Sequence, residues 1–456
     1  MLDSATLVCL AVAGVAALCF GLTYHRQASD VPFISSWVPF FGASLRFRRG
    51  QIACLQQWTK QHGPVFSLTR LGIAVTYVTD SSLFSPLIKT TALALYPLKA
   101  KIMERVFGAA KQAESTALLA KLARRTLLTH LSGASLGQWS IKSHALFKTH
   151  LEAALADVPN DTKVEVYPWL ARVIFATMLE TFYGPGLCTP SFQADLDTLD
   201  KAFPVLFMGI PAKWCKVATS RDRLLQAMTD AATRENVSPL VQELWQLYGD
   251  KAAPPSQLAF VWSMIYNTIR TTFWLLYYLQ TTPGAWTAVE KQVQANVHGD
   301  APMHAELQGC DLLDAAMKET LRLATTSGFT RVVVADTSVE LNNDTTLHLH
   351  TGEQVVLHAG VGHHDPTRFE DPHAFRLDRN DDVRPFGLGK FQCPGQYFAV
   401  DFVKMVVATL MLETNIARFE GTPTPDFSTP GTFALKDVHA VRMSIQAKHP
   451  RAAKTS

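Results

Sequence analysis

No basic run with interleaved aromatics occurs anywhere in the chain, and the net charge is only +3. The electrostatic footprint of a nucleic-acid binder is therefore missing. Cysteine is sparse: Cys9, Cys19, Cys54, Cys188, Cys215, Cys310 and Cys393 are odd in number, scattered and never arranged C-x-x-C. That pattern argues against a zinc site and a disulfide framework, and suggests a reducing compartment. No Gly-x-Gly-x-x-Gly follows a strand-like run, so the chain is not expected to bind a dinucleotide itself. Internal repeats and low-complexity tracts are absent too.

Apolar residues make up 48% of the 456 and charged ones 18%, the balance of a chain that buries a large core. Ala5 to Tyr24 is a mostly apolar stretch of 20 residues, long enough to cross a bilayer as a helix. Asp3 precedes it, without Lys or Arg, which favours an uncleaved anchor over the alternative of a cleaved signal peptide. Arg26, Arg46, Arg48 and Arg49 follow, and the positive-inside rule puts them in the cytosol. The sequence thus divides into an anchor over 1–27, a linker punctuated by Pro32 and Pro39 over 28–50, and a remainder over 51–456. The sequons opened by Asn160, Asn236 and Asn343 carry no meaning on a cytosolic face.

Periodicity makes the remainder mainly α with smaller β-sheets, an α+β chain. Leu55 to His62 reads as helix, and Val65–Leu71 with Ile73–Thr79, parted by Gly72, as a hairpin. From Ser82 to Asp250 the pattern is helical with breaks near Gly133, Pro159 and Pro190, and Ala202 to Pro211 reads as an apolar loop. Pro254 and Pro255 precede a helix from Ser256 to Gln280, apolar on nearly every face and stopped by Pro283. Asp311 to Leu323 is another helix, with Glu319 and Arg322 spaced to pair on one face, before strand-like Arg331–Val334.

The chemistry concentrates at Arg384-Pro-Phe-Gly-Leu-Gly-Lys-Phe-Gln-Cys-Pro-Gly395. Gly387 and Gly389 permit tight folding and close approach to a flat partner, and a helical stripe through Phe402, Val406 and Leu410 begins at Gln396. Cys393 thus stands just ahead of a helix N-terminus, where dipole and free N–H groups favour a thiolate.

The spacing Phe-x-x-Gly-x-x-x-Cys-x-Gly resembles the haem-binding loop of the cytochrome P450 family. The resemblance implies that fold, with haem b held by Cys393 as axial thiolate, Phe386 packed beside the sulfur, and Gly387, Gly389 and Gly395 shaping the loop. The usual propionate-binding Arg is replaced by Phe391, which makes Arg331, then Lys390, the candidate cation; no Trp-x-x-x-Arg is found near Arg124 and Arg125. Glu319, Arg322 and Arg379 match the family's structural triad, although Leu377 stands where a proline is usual. The interval from Arg379 to Phe386 is shorter than in animal relatives, which would trim the surface for a redox partner.

On the long helix the family's acid and threonine are missing, and Tyr266-Asn-Thr-Ile-Arg-Thr-Thr-Phe-Trp274 is similar to the branch holding cholesterol 7α-hydroxylase, sterol 12α-hydroxylase and prostacyclin synthase. The resemblance puts Asn267 over the iron with Tyr266 beside it, and lines a lipophilic pocket with Trp262, Ser263, Thr326, Ser327, Phe329 and Phe433. It implies an enzyme of the endoplasmic reticulum membrane, with electrons from NADPH through a cytochrome P450 reductase and cytochrome b5 as a further donor. A sterol or terpenoid hydroxylase is the first reading. A redox-neutral isomerase and a non-catalytic haem or sterol carrier are the alternatives.

Overall fold

The computed structural model describes residues 31–35, 44–47, 50–70, 72–110, 117–159, 162–298, 304–325, 328–342, 345–379, 383–426 and 432–448. The expected anchor over Ala5–Tyr24 lies outside them, as does most of the proline linker. Among the described residues no helix is long and apolar enough to cross a membrane.

In chain order, β1 (Phe33–Ile34) is followed by α1 (Gln51–His62), β2 (Val65–Arg70), β3 (Ile73–Val78), β4 (Leu93–Ala94) and α2 (Tyr96–Arg105). Then come α3 (Ala117–Leu131), α4 (Ser135–Ala156), β5 (Lys163–Glu165), α5 (Val166–Tyr183), α6 (Pro190–Phe207) and α7 (Ala218–Ala232). The 43-residue α8 (Pro239–Thr281) leads to α9 (Ala285–Asn296), α10 (Asp311–Ala324) and the strands β6 (Phe329–Val333), β7 (Thr337–Asn342), β8 (Thr345–Leu349) and β9 (Gln354–Leu357). Helix α11 (Gln396–Glu413) precedes β10 (Thr414–Ile416), β11 (Pro425–Asp426), β12 (Ala434–Leu435) and β13 (Arg442–Ala447).

Where the sequence treats 51–456 as one domain, contacts divide the described residues into two units, each drawn from separate stretches. The first, up to Leu98 with Thr326–His373 and Gly387–Gln392, holds a six-stranded sheet in the order β1-β2-β3-β9-β6-β4 and the β7–β8 hairpin. The expected hairpin forms, Val65 opposite Val78 and Arg70 opposite Ile73, with Gly72 at φ 74° making the turn. Ser67 and Thr76 face each other on it, both buried, and satisfy each other's hydroxyls at 2.9 Å.

The second unit, Lys99–Thr325 with Ala374–Phe386 and the chain from Cys393, is helical and carries the largest apolar core. Helix α5 is buried on nearly every side, which its run of Trp169, Val173, Ile174, Phe175, Met178, Leu179 and Phe182 requires. Two of its small sheets are β10-β13-β5 and β11-β12.

Two sequence expectations need correction here. The stretch expected as a loop over Ala202–Pro211 is helical as far as Phe207, with Pro204 inside α6. Phe203 and Leu206 are buried on that last turn, and their packing outweighs the one backbone bond that proline forfeits. Only the residues from Met208 leave the helix, and Met208, Ile210 and Trp214 are exposed. Nor do Pro254 and Pro255 precede the long helix. They lie within α8, shortly after a kink at Gly249, where φ is 68°. Both stand past the N–H groups that a break leaves unpartnered, and it is the burial of Ala253, Pro255 and Leu258 that holds the helix through them.

Candidate haem-thiolate site

Cys393 is the exposed member of the five cysteines among the described residues, whereas Cys310 is buried and its Sγ reaches the Glu306 carbonyl at 3.7 Å. A structural cysteine would be covered; this sulfur is accessible, although enough protein crowds it that burial pushes its pKa up. The N–H groups of Gly395 and Gln396 and the positive charge of Arg124 pull the other way. The expected favouring of a thiolate is therefore present but outweighed by burial. The Cys393 N–H donates to the Phe386 carbonyl at 2.8 Å, which fixes the sulfur relative to the residue expected beside it.

Gly387 and Gly389 have φ of 86° and 59°, in the left-handed region that makes glycine necessary. A Cβ on Gly389 would also lie 2.8 Å from Ile88. Gly395 differs, with φ −91° and room for a Cβ, so its backbone N–H rather than its missing side chain is what the loop uses.

Glu319, Arg322 and Arg379 come together. Glu319, 3% exposed, accepts from Arg322 Nε and Nη2, both at 2.7 Å, and from Arg379 Nε at 3.1 Å. It also takes the Arg376 backbone N–H at 3.3 Å, while Arg322 donates to the Ala374 carbonyl. The Leu377 substitution leaves these bonds in place. A bidentate buried pair of this kind fixes the segment before the haem loop to α10.

Asn267 is held by protein at both ends of its amide. Its Nδ2 donates to the Ser263 carbonyl at 3.0 Å and its Oδ1 accepts the Thr432 N–H at 3.3 Å. One further turn along, Thr271 and Thr432 pair their hydroxyls at 3.0 Å, and Trp274 Nε1 donates to the Phe433 carbonyl at 2.9 Å. One N–H and one lone pair of Asn267 remain for a ligand. Tyr266 turns to α6 instead, its hydroxyl donating to Asp197 at 2.5 Å, and burial pushes its pKa well up.

Trp262, expected to line the pocket, also faces α6: it stacks on Phe203 at 4.6 Å and donates to Asp200. Asp200 in turn pairs with the buried Arg270. Residues four apart on a helix share a face, which groups Trp262, Tyr266 and Arg270 on one side and Ser263 and Asn267 on the next.

Ser263 does line a cavity of about 480 Å³, with Lys99, Met103, Glu104, Leu127, Leu244 and Phe260 among its walls. Phe433 is buried edge-on to Trp274. Thr326 and Ser327 lie outside the described residues. In the sheet unit Phe329 is half-buried on β6. Arg331 on the same strand is buried, donates Nη1 to the Thr330 carbonyl, and has its pKa lowered to about 10 by that burial. Lys390 is exposed and reaches the Thr90 carbonyl at 3.5 Å.

The residues fit a haem group. The accessible thiol with two backbone N–H groups aimed at it is a donor for iron, and Arg124 adds a charge close enough to be felt at the sulfur. Arg124 is the residue sequence reasoning set aside. Its signal was position on α3 rather than motif, because the tryptophan that would flag it is missing.

A family model described as Cytochrome P450 matches residues 260–440, the stretch that contains Asn267, the triad and Cys393. Mouse cytochrome P450 7B1 is 24% identical, the match covering 87% of each chain. A cholesterol 7-alpha-monooxygenase of Cricetulus griseus is 23% identical over 93% of this chain and 95% of its own. A 5-beta-cholestane-3-alpha,7-alpha-diol 12-alpha-hydroxylase of Sus scrofa is 22% identical over 91% and 92%. The likeness read from a dozen residues around Cys393 is thus shared by proteins similar to this chain along almost its whole length, with the family model itself matching the stretch that holds the site.

Proposed function

We propose that this cytochrome P450 monooxygenase hydroxylates a lipophilic substrate of the sterol or terpenoid class, with electrons supplied from NADPH by a membrane-bound reductase. The observation that carries this reading is the accessible Cys393 sulfur, with the N–H groups of Gly395 and Gln396 aimed at it. Haem, held by the Cys393 sulfur, would supply the oxygen chemistry.

The chain's own residues do the rest. Cys393 would ligate the iron, with Arg124 of the same unit a cation for a haem carboxylate; Arg331 and Lys390 are the candidates that the sequence resemblance offers for the same role. Glu319, Arg322 and Arg379 would hold the approach to the loop rigid. Asn267 would offer its remaining N–H to a polar atom of substrate or oxygen, and Phe433 and Phe329 would contribute apolar surface. The cavity beside Ser263 is of a size that accepts a large lipophilic molecule. The similarity to sterol 7α- and 12α-hydroxylases supports the same class.

The apolar stretch Ala5–Tyr24 supports an uncleaved anchor that would hold the enzyme at the endoplasmic reticulum membrane, with cytochrome b5 a second donor. Exposed Met208, Ile210 and Trp214 are consistent with contact to that membrane.

A redox-neutral rearrangement, resembling prostacyclin synthase, is the second reading, favoured by the absence of an acid–threonine pair on α8. Incubation of the membrane-bound protein with reductase and a panel of sterols and terpenoids separates the two. Hydroxylated product is expected only with NADPH. Product formed equally well without NADPH overturns the hydroxylase reading.

A further inference from the structure

The cavity beside Ser263 runs along α8 from Ala252 to Ser263, about 16 Å by helical rise. Its walls are mostly apolar, yet α2 brings two cations to it, Lys99 and Lys101, against one acid, Glu104. Among the described residues neither lysine makes a hydrogen bond or an ion pair, and Glu104, on the same wall, pairs with neither. Lys101 is exposed. Lys99 is half-buried, and burial lowers its pKa. A protein that needed these lysines only for solubility would leave both ammonium groups in water.

We propose that the cavity selects an amphiphile with an apolar polycyclic body and a carboxylate end, the carboxylate binding Lys99 and the body lying against Met103, Leu127, Leu244 and Phe260. This rests on the reading that the enzyme takes a lipophilic substrate, and narrows it to acids. The physical ground is that an ammonium losing water to apolar walls regains a partner only from an anion carried by the ligand. Lys101 at the exposed side adds a longer-range attraction for the same charge and discriminates against cationic lipids.

The test is equilibrium dialysis of the haem-loaded enzyme against lithocholic acid and its methyl ester, and against abietic acid and its methyl ester. The acids should bind at least about tenfold more tightly than the esters, the worth of one charge-assisted hydrogen bond. Lys99→Met should erase that preference while ester binding persists, which also certifies the fold, and Lys99→Arg should restore it. Equal binding of acid and ester by the wild type, or a preference that survives both Lys99→Met and the double change with Lys101→Met, overturns the inference alone. Binding of neither member of either pair overturns the lipophilic-substrate reading and this inference with it.

Discussion

At the scale of single residues, burial decides more than charge does. His358 is fully buried between Tyr77 and Gln51, and desolvation lowers its pKa from 6.5 to about 4. The unfolded chain therefore binds a proton below pH 6.5 that the folded one refuses, so stability falls as pH drops from 6.5 to about 4 and then levels off. That gap is worth about 3 kcal/mol. Urea denaturation at pH 7 and pH 4.5 should show His358→Gln losing less stability than the wild type between the two. An identical loss in both proteins would count against the assignment. None of this was legible in sequence, where a histidine after β9 carries no sign of its surroundings. Cys393 was legible, because glycines of positive φ and a helix start on either side leave few other readings.

Elements were legible where periodicity and caps agreed. The limits of α10 and the start of α11 follow the apolar stripe closely, whereas α1 begins at Gln51, a turn ahead of the expected Leu55, and Asp311 and Asp314 in the first turn of α10 with Arg322 in its last complement the helix dipole. Legibility failed at prolines. Pro204 and Pro255 read as breaks, yet tertiary packing of Phe203 and Leu206, and of Ala253 and Leu258, makes them compatible with helix. The sidedness of α8 was not readable either, since a helix apolar all round gives no phase from which to assign Tyr266 to one wall and Asn267 to another.

The triad belongs to this scale, because it joins α10 to the stretch from Ala374. Arg322→Met would remove the bidentate partner of the buried Glu319 carboxylate, leaving it Arg379, and should cost about 3 kcal/mol. A surface pair such as Lys163–Glu420 should cost under about 1 kcal/mol on the same change. Chemical denaturation of the two variants side by side checks this, and a cost at Arg322 no greater than at Lys163 would sink it.

For the whole molecule, the cofactor and the fold are coupled. A group that binds only the folded chain stabilises it by mass action. Cys393→Ala should therefore abolish the red-shifted Soret band of the reduced carbon monoxide complex and lower the melting midpoint by several degrees. An unchanged spectrum would overturn thiolate ligation. The resemblance was legible across this scale because its motifs sit at sequence-local spacings. The cavity was only partly so, since its walls come from α2, α3 and both halves of α8.

Asn267, Thr271 and Trp274 stand at i, i+4 and i+7 on one face of α8, and all three grip the two residues Thr432 and Phe433. A strand-turn fastened at three rungs cannot creep along the helix by one register without releasing all of them together. The tail of the chain is thus indexed like a ratchet tooth, and trimming it back past position 432 would free the Asn267 amide oxygen of its backbone partner.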